Sequence, residues 1–410
     1  MLVRLTTGES QLTERRQHAI WVTNMAAPYR RPVWKALTAD LDLTVALLNS
    51  DEQFHRTQKQ GNRGPEWAAR NLNDIDIRSL STQNPRIAGR QVFFLKTFPK
   101  SLVRPTTNSI LLGGWEQPAY WQLRLVARLR GLRAVGFYES TLLTARYQRG
   151  PVALARKVFL RSLDAIVVPG IAAAESLYTI GVDPQRVYVG FNAVELDLFV
   201  RREMTSDDNV HDHAVGHRFL HVGQLVARKN VDGLIRAFAA MADPEDHLTI
   251  AGKGPQGEAL KQLADDLGVG SQVSFLGLTP YEQIPGLMHD HHTLVLASKE
   301  EVWGLVVNEA LAAGLHAVVS EVSGIAPSIR GMRGVWVANV ADESIAASMV
   351  ASRAGWSGPL PDPEILAYTP DRFASVFKSA LLGADPEPVV SRREDNEGST
   401  GHTTQRRGDL

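Results

Sequence analysis

The chain has 410 residues, 44% hydrophobic and 21% charged, which suits two globular domains with three as the outer bound. It contains no cysteine, which excludes a disulfide scaffold, a cysteine nucleophile, a thiolate zinc site and an iron–sulfur cluster. Formal net charge is zero, against bulk nucleic-acid binding, yet residues 1–200 hold 26 Lys and Arg against 16 Asp and Glu, and the rest carries the opposite excess.

Residues 1–18 lack the apolar run of a signal peptide and read as a polar extension. No apolar stretch approaches the length of a membrane span, so the expectation is a soluble, cytoplasmic chain, free to rest against the inner face of a membrane. Strand-like runs then appear at 19–22, 43–48, 91–95, 109–114, 133–138 and 165–169. Helical periods fill Pro32–Asp40, Pro118–Arg130, Pro151–Leu163 and Ala172–Ile180 between them. A polar stretch follows, and strands resume at 219–223, 248–252, 272–277, 293–297, 317–320 and 335–338. Helices are expected near 231–241, 257–267, 281–288, 305–313 and 343–353, with an amphipathic terminal helix at Asp371–Leu382. Two successive β-α series predict two doubly wound parallel sheets, an α/β architecture. The expected division is an extension (1–18), a first domain (19–200), a linker (201–217), a second domain (218–365), a helix returning to the first domain (366–383) and a disordered tail (384–410).

Three pieces of the second half carry chemistry. In VGQLVARKN (222–230) a strand ends at Gly223 and the loop brings Arg228 and Lys229 to a helix start. Charge at a helix N-terminus should be negative for stability, so this cationic pair points to an anionic ligand. In AGKGP (251–255), Gly252 and Gly254 flank Lys253, and glycine lets backbone approach a ligand closely. In KEEVWGLVVNEALAAG (299–314), Glu301 and Glu309 are separated by seven residues across Gly304 and a helix start. Strand ends of doubly wound sheets collect ligands. Free N–H groups around Gly304, Leu305 and Val306 suit phosphate, and ionised carboxylates suit vicinal hydroxyls. Pyrophosphate flanked by two polyols describes a nucleotide-sugar.

These residues resemble the family-4 glycosyltransferases, most strongly over Phe219–Ala338 and in layout over 19–382. The resemblance implies the GT-B fold of two facing Rossmann-like domains, donor in the second and acceptor in the first. It implies transfer from a nucleotide-diphosphate sugar to a glycan, glycolipid or small-molecule hydroxyl with retention of anomeric configuration, polysaccharide biosynthesis as the setting, and no metal or other cofactor. Glu301 would bind the hydroxyls of the transferred sugar and Glu309 the nucleotide ribose. Lys229 would neutralise the diphosphate, with backbone amides from 304–306. The family's arginine after the strand-ending glycine is Gln224 here; either Arg228 replaces its charge or diphosphate binding is weakened.

In the first half, Asn24, Gly114, Trp115, Glu139 and Ser140 lie at expected strand ends and are the acceptor-site candidates, although the family's glycine-rich first loop and its histidine near Glu139 are missing. Glu139 reads equally as a structural carboxylate, and Trp115, Tyr120 and Trp121 as core residues. Arg124, Arg128, Arg130 and Arg133 form either a solvated face or a contact with an anionic membrane or lipid-linked acceptor. His211, Asp212, His213 and His217, and His289 to His292, lack metal-site spacing. The DLD (40–42) and DID (74–76) triplets resemble acidic metal motifs of the other glycosyltransferase fold but read as structural. Two other classes remain open: a catalytically weak GT-B protein that binds a sugar nucleotide or assembly partner, favoured by Gln224, and a dehydrogenase, disfavoured because no GxGxxG follows an early strand.

Overall fold

The computed structural model describes residues 16–49, 74–87, 89–98, 100–145, 147–201 and 216–385. Most of the expected extension, linker and tail, and His211, Asp212 and His213 with them, lies outside these residues.

The first sheet is built from apolar runs whose side chains are covered on both faces, as parallel strands require. Its strands are β1 (His18–Thr23), β2 (Asp42–Leu47), β3 (Asp76–Ser79), β8 (Thr107–Leu112), β9 (Arg133–Phe137), β10 (Ala165–Val168) and β11 (Val187–Val189), in the order β11-β10-β9-β8-β1-β2-β3 and all parallel. Between β3 and β8, β4 (Thr82–Gln83) pairs with β7 (Phe94–Leu95) and β5 (Arg86–Ile87) with β6 (Arg90–Gln91), both antiparallel. The strand expected at 91–95 is therefore not part of the main sheet. The edge position belongs to β3, whose DIRS sequence has no apolar run because its residues are only half-covered. Its Asp76 bonds Arg78, Arg104 and Thr44, and Asp42 pairs with Arg104, so both acidic triplets serve the sheet edge.

Crossover helices are α1 (Arg31–Asp40), α2 (Pro118–Arg130), α3 (Pro151–Arg161) and α4 (Ile171–Thr179). The second sheet runs β14-β13-β12-β15-β16-β17, again all parallel: β12 (Arg218–Val222), β13 (His247–Ala251), β14 (Val273–Gly277), β15 (Thr293–Leu296), β16 (His316–Ser320) and β17 (Val335–Ala338). Around it lie α5 (Val231–Met241), α6 (Gly257–Asp266), α7 (Ile284–His289), α8 (Leu305–Ala312), α9 (Ala326–Ile329) and α10 (Asp342–Ala354).

The last helix, α11 (Pro370–Leu382), starts at an N-cap where the Thr369 side chain accepts from Arg372 N–H. It packs in the core of the first sheet, with Phe377 4.5 Å from the Trp21 ring and the Ala380 carbonyl accepting from Arg133. The chain thus crosses between the sheets twice. Phe191 of the first crossing stacks on Tyr368 of the second at 4.0 Å. Strand-end loops of the two sheets meet: Asn308 Nδ2 donates to the Asn192 carbonyl, and Trp303 and Ser328 lie against Gly170. Two facing Rossmann-like domains of this kind define the GT-B fold.

Candidate active site

In the second sheet the strand order reverses at β12, with β13 on one side and β15 on the other. The crevice between the loops following β12 and β15 is the topological switch point, where open α/β sheets bind ligands. Lys229 on one loop and Glu301 on the other form an ion pair there, each side chain 12% exposed. Backbone bonds fix the pair. The Arg228 carbonyl accepts from Lys299 N–H at 2.8 Å, and Asn230 Nδ2 donates to the Ala297 carbonyl at 3.1 Å, so Lys229 is held on both sides against the β15 loop. Asn230 is buried and left-handed (φ 53°), a conformation asparagine tolerates better than most residues.

Next to this pair, α8 begins after Gly304, whose φ of 104° is open only to glycine and whose Cβ, were there one, would sit 2.7 Å from Leu296. Leu305 and Val306 occupy the first turn, where N–H groups have no intrahelical acceptor. Glu309 follows one turn later, 8% exposed, its carboxylate accepting from the Tyr281 hydroxyl at 3.2 Å. Burial pushes the Glu309 carboxyl up to about 8 despite that bond, and burial beside Glu309 raises the Tyr281 phenol.

The glycine pair of 252 and 254 makes a close approach, but to the neighbouring loop. A Cβ on Gly252 would lie 1.8 Å from the Gly223 carbonyl, and one on Gly254 2.2 Å from that of Leu225. These glycines therefore set the course of the loop that carries Gln224, Arg228 and Lys229. Arg228 is exposed and forms no side-chain ion pair among the described residues; Gln224 is half-buried at the strand end.

In the first domain, Asn24 after β1 accepts from the Tyr120 hydroxyl at 2.9 Å and donates to Glu116, closing the loop that holds Gly114 and Trp115. Tyr120 is core, fully buried, whereas Trp121 is 38% exposed with its ring against Phe159. Glu139 accepts from Arg30 at 2.7 Å, and the Arg30 guanidinium lies 4.3 Å from the Phe137 ring centre. The Ser140 carbonyl accepts from the Ser176 hydroxyl. Trp115 is half-buried, and Arg156 of α3 sits over its ring at 5.9 Å. Arg156 is itself 7% exposed, with Nε unpartnered and no carboxylate on the guanidinium among the described residues. A buried guanidinium normally has a counter-charge.

Sequence reasoning missed Arg30, Tyr281, Asn230 and Arg156. Nothing in local spacing singles out Arg30 or Arg156, or places Tyr281 opposite α8. His217 and His292 meet, ring centroids 4.8 Å apart, and pack with His316 around Trp356 as an aromatic cluster. His289 bonds the Phe199 carbonyl, His291 bonds Thr249, His292 accepts from Arg218 N–H, and burial drives His217 down to about 3. Among the described residues no three His, Asp or Glu side chains form a metal-binding group.

Residues 212–350 match the family described as Glycosyl transferases group 1. An uncharacterised glycosyltransferase of Methanocaldococcus jannaschii is 32% identical over 39% of this chain and 42% of its own length. A D-inositol 3-phosphate glycosyltransferase of Catenulispora acidiphila is 28% identical over 64% of this chain and 71% of its own. The chain thus spans less than half of the first relative, and about half of several related mycobacterial proteins. Among solved structures, Anabaena Alr3699/HepE in complex with UDP and glucose aligns with a TM-score of 0.59 at 16% identity, over 90% of this chain and 94% of the other. At that identity the likeness bears on the fold.

Proposed function

We propose that the chain transfers a sugar from a nucleotide-diphosphate sugar to an acceptor hydroxyl, with retention of anomeric configuration. One observation carries the reading: Lys229 and Glu301 converge at the switch point beside the start of α8, with Glu309 a turn further on. Lys229, Arg228 and the amides of Leu305 and Val306 would stabilise charge growing on the departing diphosphate. Glu301 would orient the sugar, and ionised Glu309 would accept from the ribose hydroxyls. As the bond from anomeric carbon to diphosphate breaks, the acceptor oxygen attacks the same face and its proton leaves with the diphosphate. Group 1 homology over 212–350 and the UDP and glucose in the Anabaena protein support this donor class. No step calls on a metal.

On the acceptor side, the candidates are Asn24, Gly114, Trp115, Glu139 and Ser140, and the Arg156 guanidinium, stacked over Trp115 with no carboxylate partner among the described residues, favours an acceptor bearing an anionic group. The D-inositol 3-phosphate glycosyltransferases among the relatives fit that chemistry. The second reading, a protein that binds a sugar nucleotide without turnover, rests on Gln224. Incubation with a panel of nucleotide-diphosphate sugars separates the two. Slow hydrolysis of one donor is expected, with the first-formed sugar keeping the donor's anomeric configuration by proton NMR. An inverted sugar overturns retention, and binding with no turnover assigns the protein to the second reading.

A further inference from the structure

Among the described residues, the Glu309 carboxyl accepts one side-chain hydrogen bond, from the Tyr281 hydroxyl at 3.2 Å. The two partners come from different elements. Glu309 stands on α8 and is 8% exposed, whereas Tyr281 opens a single helical turn (Tyr281–Gln283) between β14 and α7. An ionised carboxylate only accepts, and a phenol O–H donates to it as the hydroxyls of a ribose would. The tyrosine therefore makes on Glu309 the bond that the proposed complex gives to the nucleotide. At 8% exposure Glu309 has little open surface, so phenol and ribose compete for one approach.

The surroundings of Tyr281 suit a side chain that moves. It is 46% exposed although its hydroxyl rests on a buried group, and its ring meets buried Phe199 edge-on, 6.0 Å between centres. From Leu276 to Gln283 no residue is buried, and the first anchor is Ile284 at 5%. The segment turns at Gly277, φ 71°, where a Cβ would meet no atom within 4 Å. Segments with few buried contacts open at the lowest free-energy cost. The phenol stays protonated throughout the working range because burial, and then Glu309, raises it; exposed Glu195 is the other charged group acting on it among the described residues.

We infer that Tyr281 holds Glu309 between turnovers as a stand-in for a ribose hydroxyl, and that a nucleotide must displace it to bind. The phenol keeps a buried carboxyl hydrogen-bonded until a ribose arrives, which avoids leaving it orphaned. Its return to Glu309 after transfer favours release of the nucleoside diphosphate. Ligands with phosphates but no ribose leave the tyrosine in place. The inference rests on the reading of Glu309 as the ribose seat and goes beyond it, since it assigns Tyr281 the opposing role.

Calorimetric titration of wild type, Tyr281→Phe and Glu309→Gln with UDP, GDP and ADP, and with inorganic pyrophosphate, over pH 6 to 9.5 tests it. Where affinity has levelled off at high pH, Tyr281→Phe should bind the preferred nucleotide about fivefold more tightly than wild type, because ribose then displaces no hydrogen bond. The gain should shrink as pH falls, since a phenol holds a protonated carboxyl less firmly than an ionised one. Pyrophosphate should bind the two proteins equally, and circular dichroism should be unchanged. Equal or weaker nucleotide binding by Tyr281→Phe, beside a Glu309→Gln that binds poorly, overturns the inference and leaves Glu309 as the ribose seat. A parallel gain for pyrophosphate overturns it as well, by assigning Tyr281 to the general shape of the crevice. Wild-type nucleotide binding by Glu309→Gln, or none by any of the proteins, removes the ribose seat and the inference with it.

Discussion

Replacing Lys229 with methionine is expected to slow donor turnover about a hundred- to a thousandfold without unfolding the protein. The side chain is the largely buried cation of the crevice, 12% exposed, so its field on a departing diphosphate is weakly screened. Its backbone is held by Arg228 and Asn230 through bonds that do not use the ammonium group, so the loop should keep its course. Lys229→Arg should recover part of the loss because charge is restored at a different shape. Arg228→Gln should lose at most about tenfold, since an exposed cation is screened by water. Single-turnover rates of donor hydrolysis, with circular dichroism as the fold control, check all three. A loss below about threefold in Lys229→Met would remove Lys229 from leaving-group stabilisation.

Glu309→Gln is expected to strengthen the fold and ruin donor binding together. The folded protein holds the Glu309 proton up to about pH 8, whereas the unfolded chain releases it near 4.5. Stability contributed by that proton is complete below pH 4.5 and falls as pH rises toward 8. By pH 7 the penalty is about 3 kcal/mol, at about 1.4 kcal/mol per pH unit. Glutamine has no proton to lose and can still accept from the Tyr281 hydroxyl, so urea unfolding at pH 7 should show a gain of that order. The same carboxyl, once ionised, accepts the ribose hydroxyls in the proposed complex. Donor affinity of the wild type should therefore rise about tenfold per pH unit between pH 6 and 8 and level off above, a slope absent from Glu309→Gln. An unchanged stability, or an affinity flat in pH, would show that Glu309 is ionised in the empty site.

The two sheets were legible because parallel strands covered on both faces write themselves as apolar runs; β12, β13 and β15 fall within one residue of their expected spans. Edge strands did not announce themselves, since DIRS (76–79) is only partly covered and VYV (187–189) is three residues long. The same limit applied to the site. Lys229, Glu301 and Glu309 were readable from strand-end position and helix spacing. The glycines of 252 and 254 were readable as close approaches, yet what they approach is the 223–225 backbone, a contact between sequence-distant loops. Arg30 with Glu139, Tyr281 with Glu309, and Arg156 over Trp115 depend on tertiary neighbours, which periodicity does not encode.

The central claim, that the crevice between the β12 and β15 loops takes a nucleoside diphosphate, is tested most directly by calorimetric titration of the intact protein with UDP, GDP and ADP. Wild type should bind at least one of them, and Lys229→Met and Glu309→Gln should each weaken that binding about tenfold or more. Failure of all three to bind, or wild-type affinity in both variants, would contradict it.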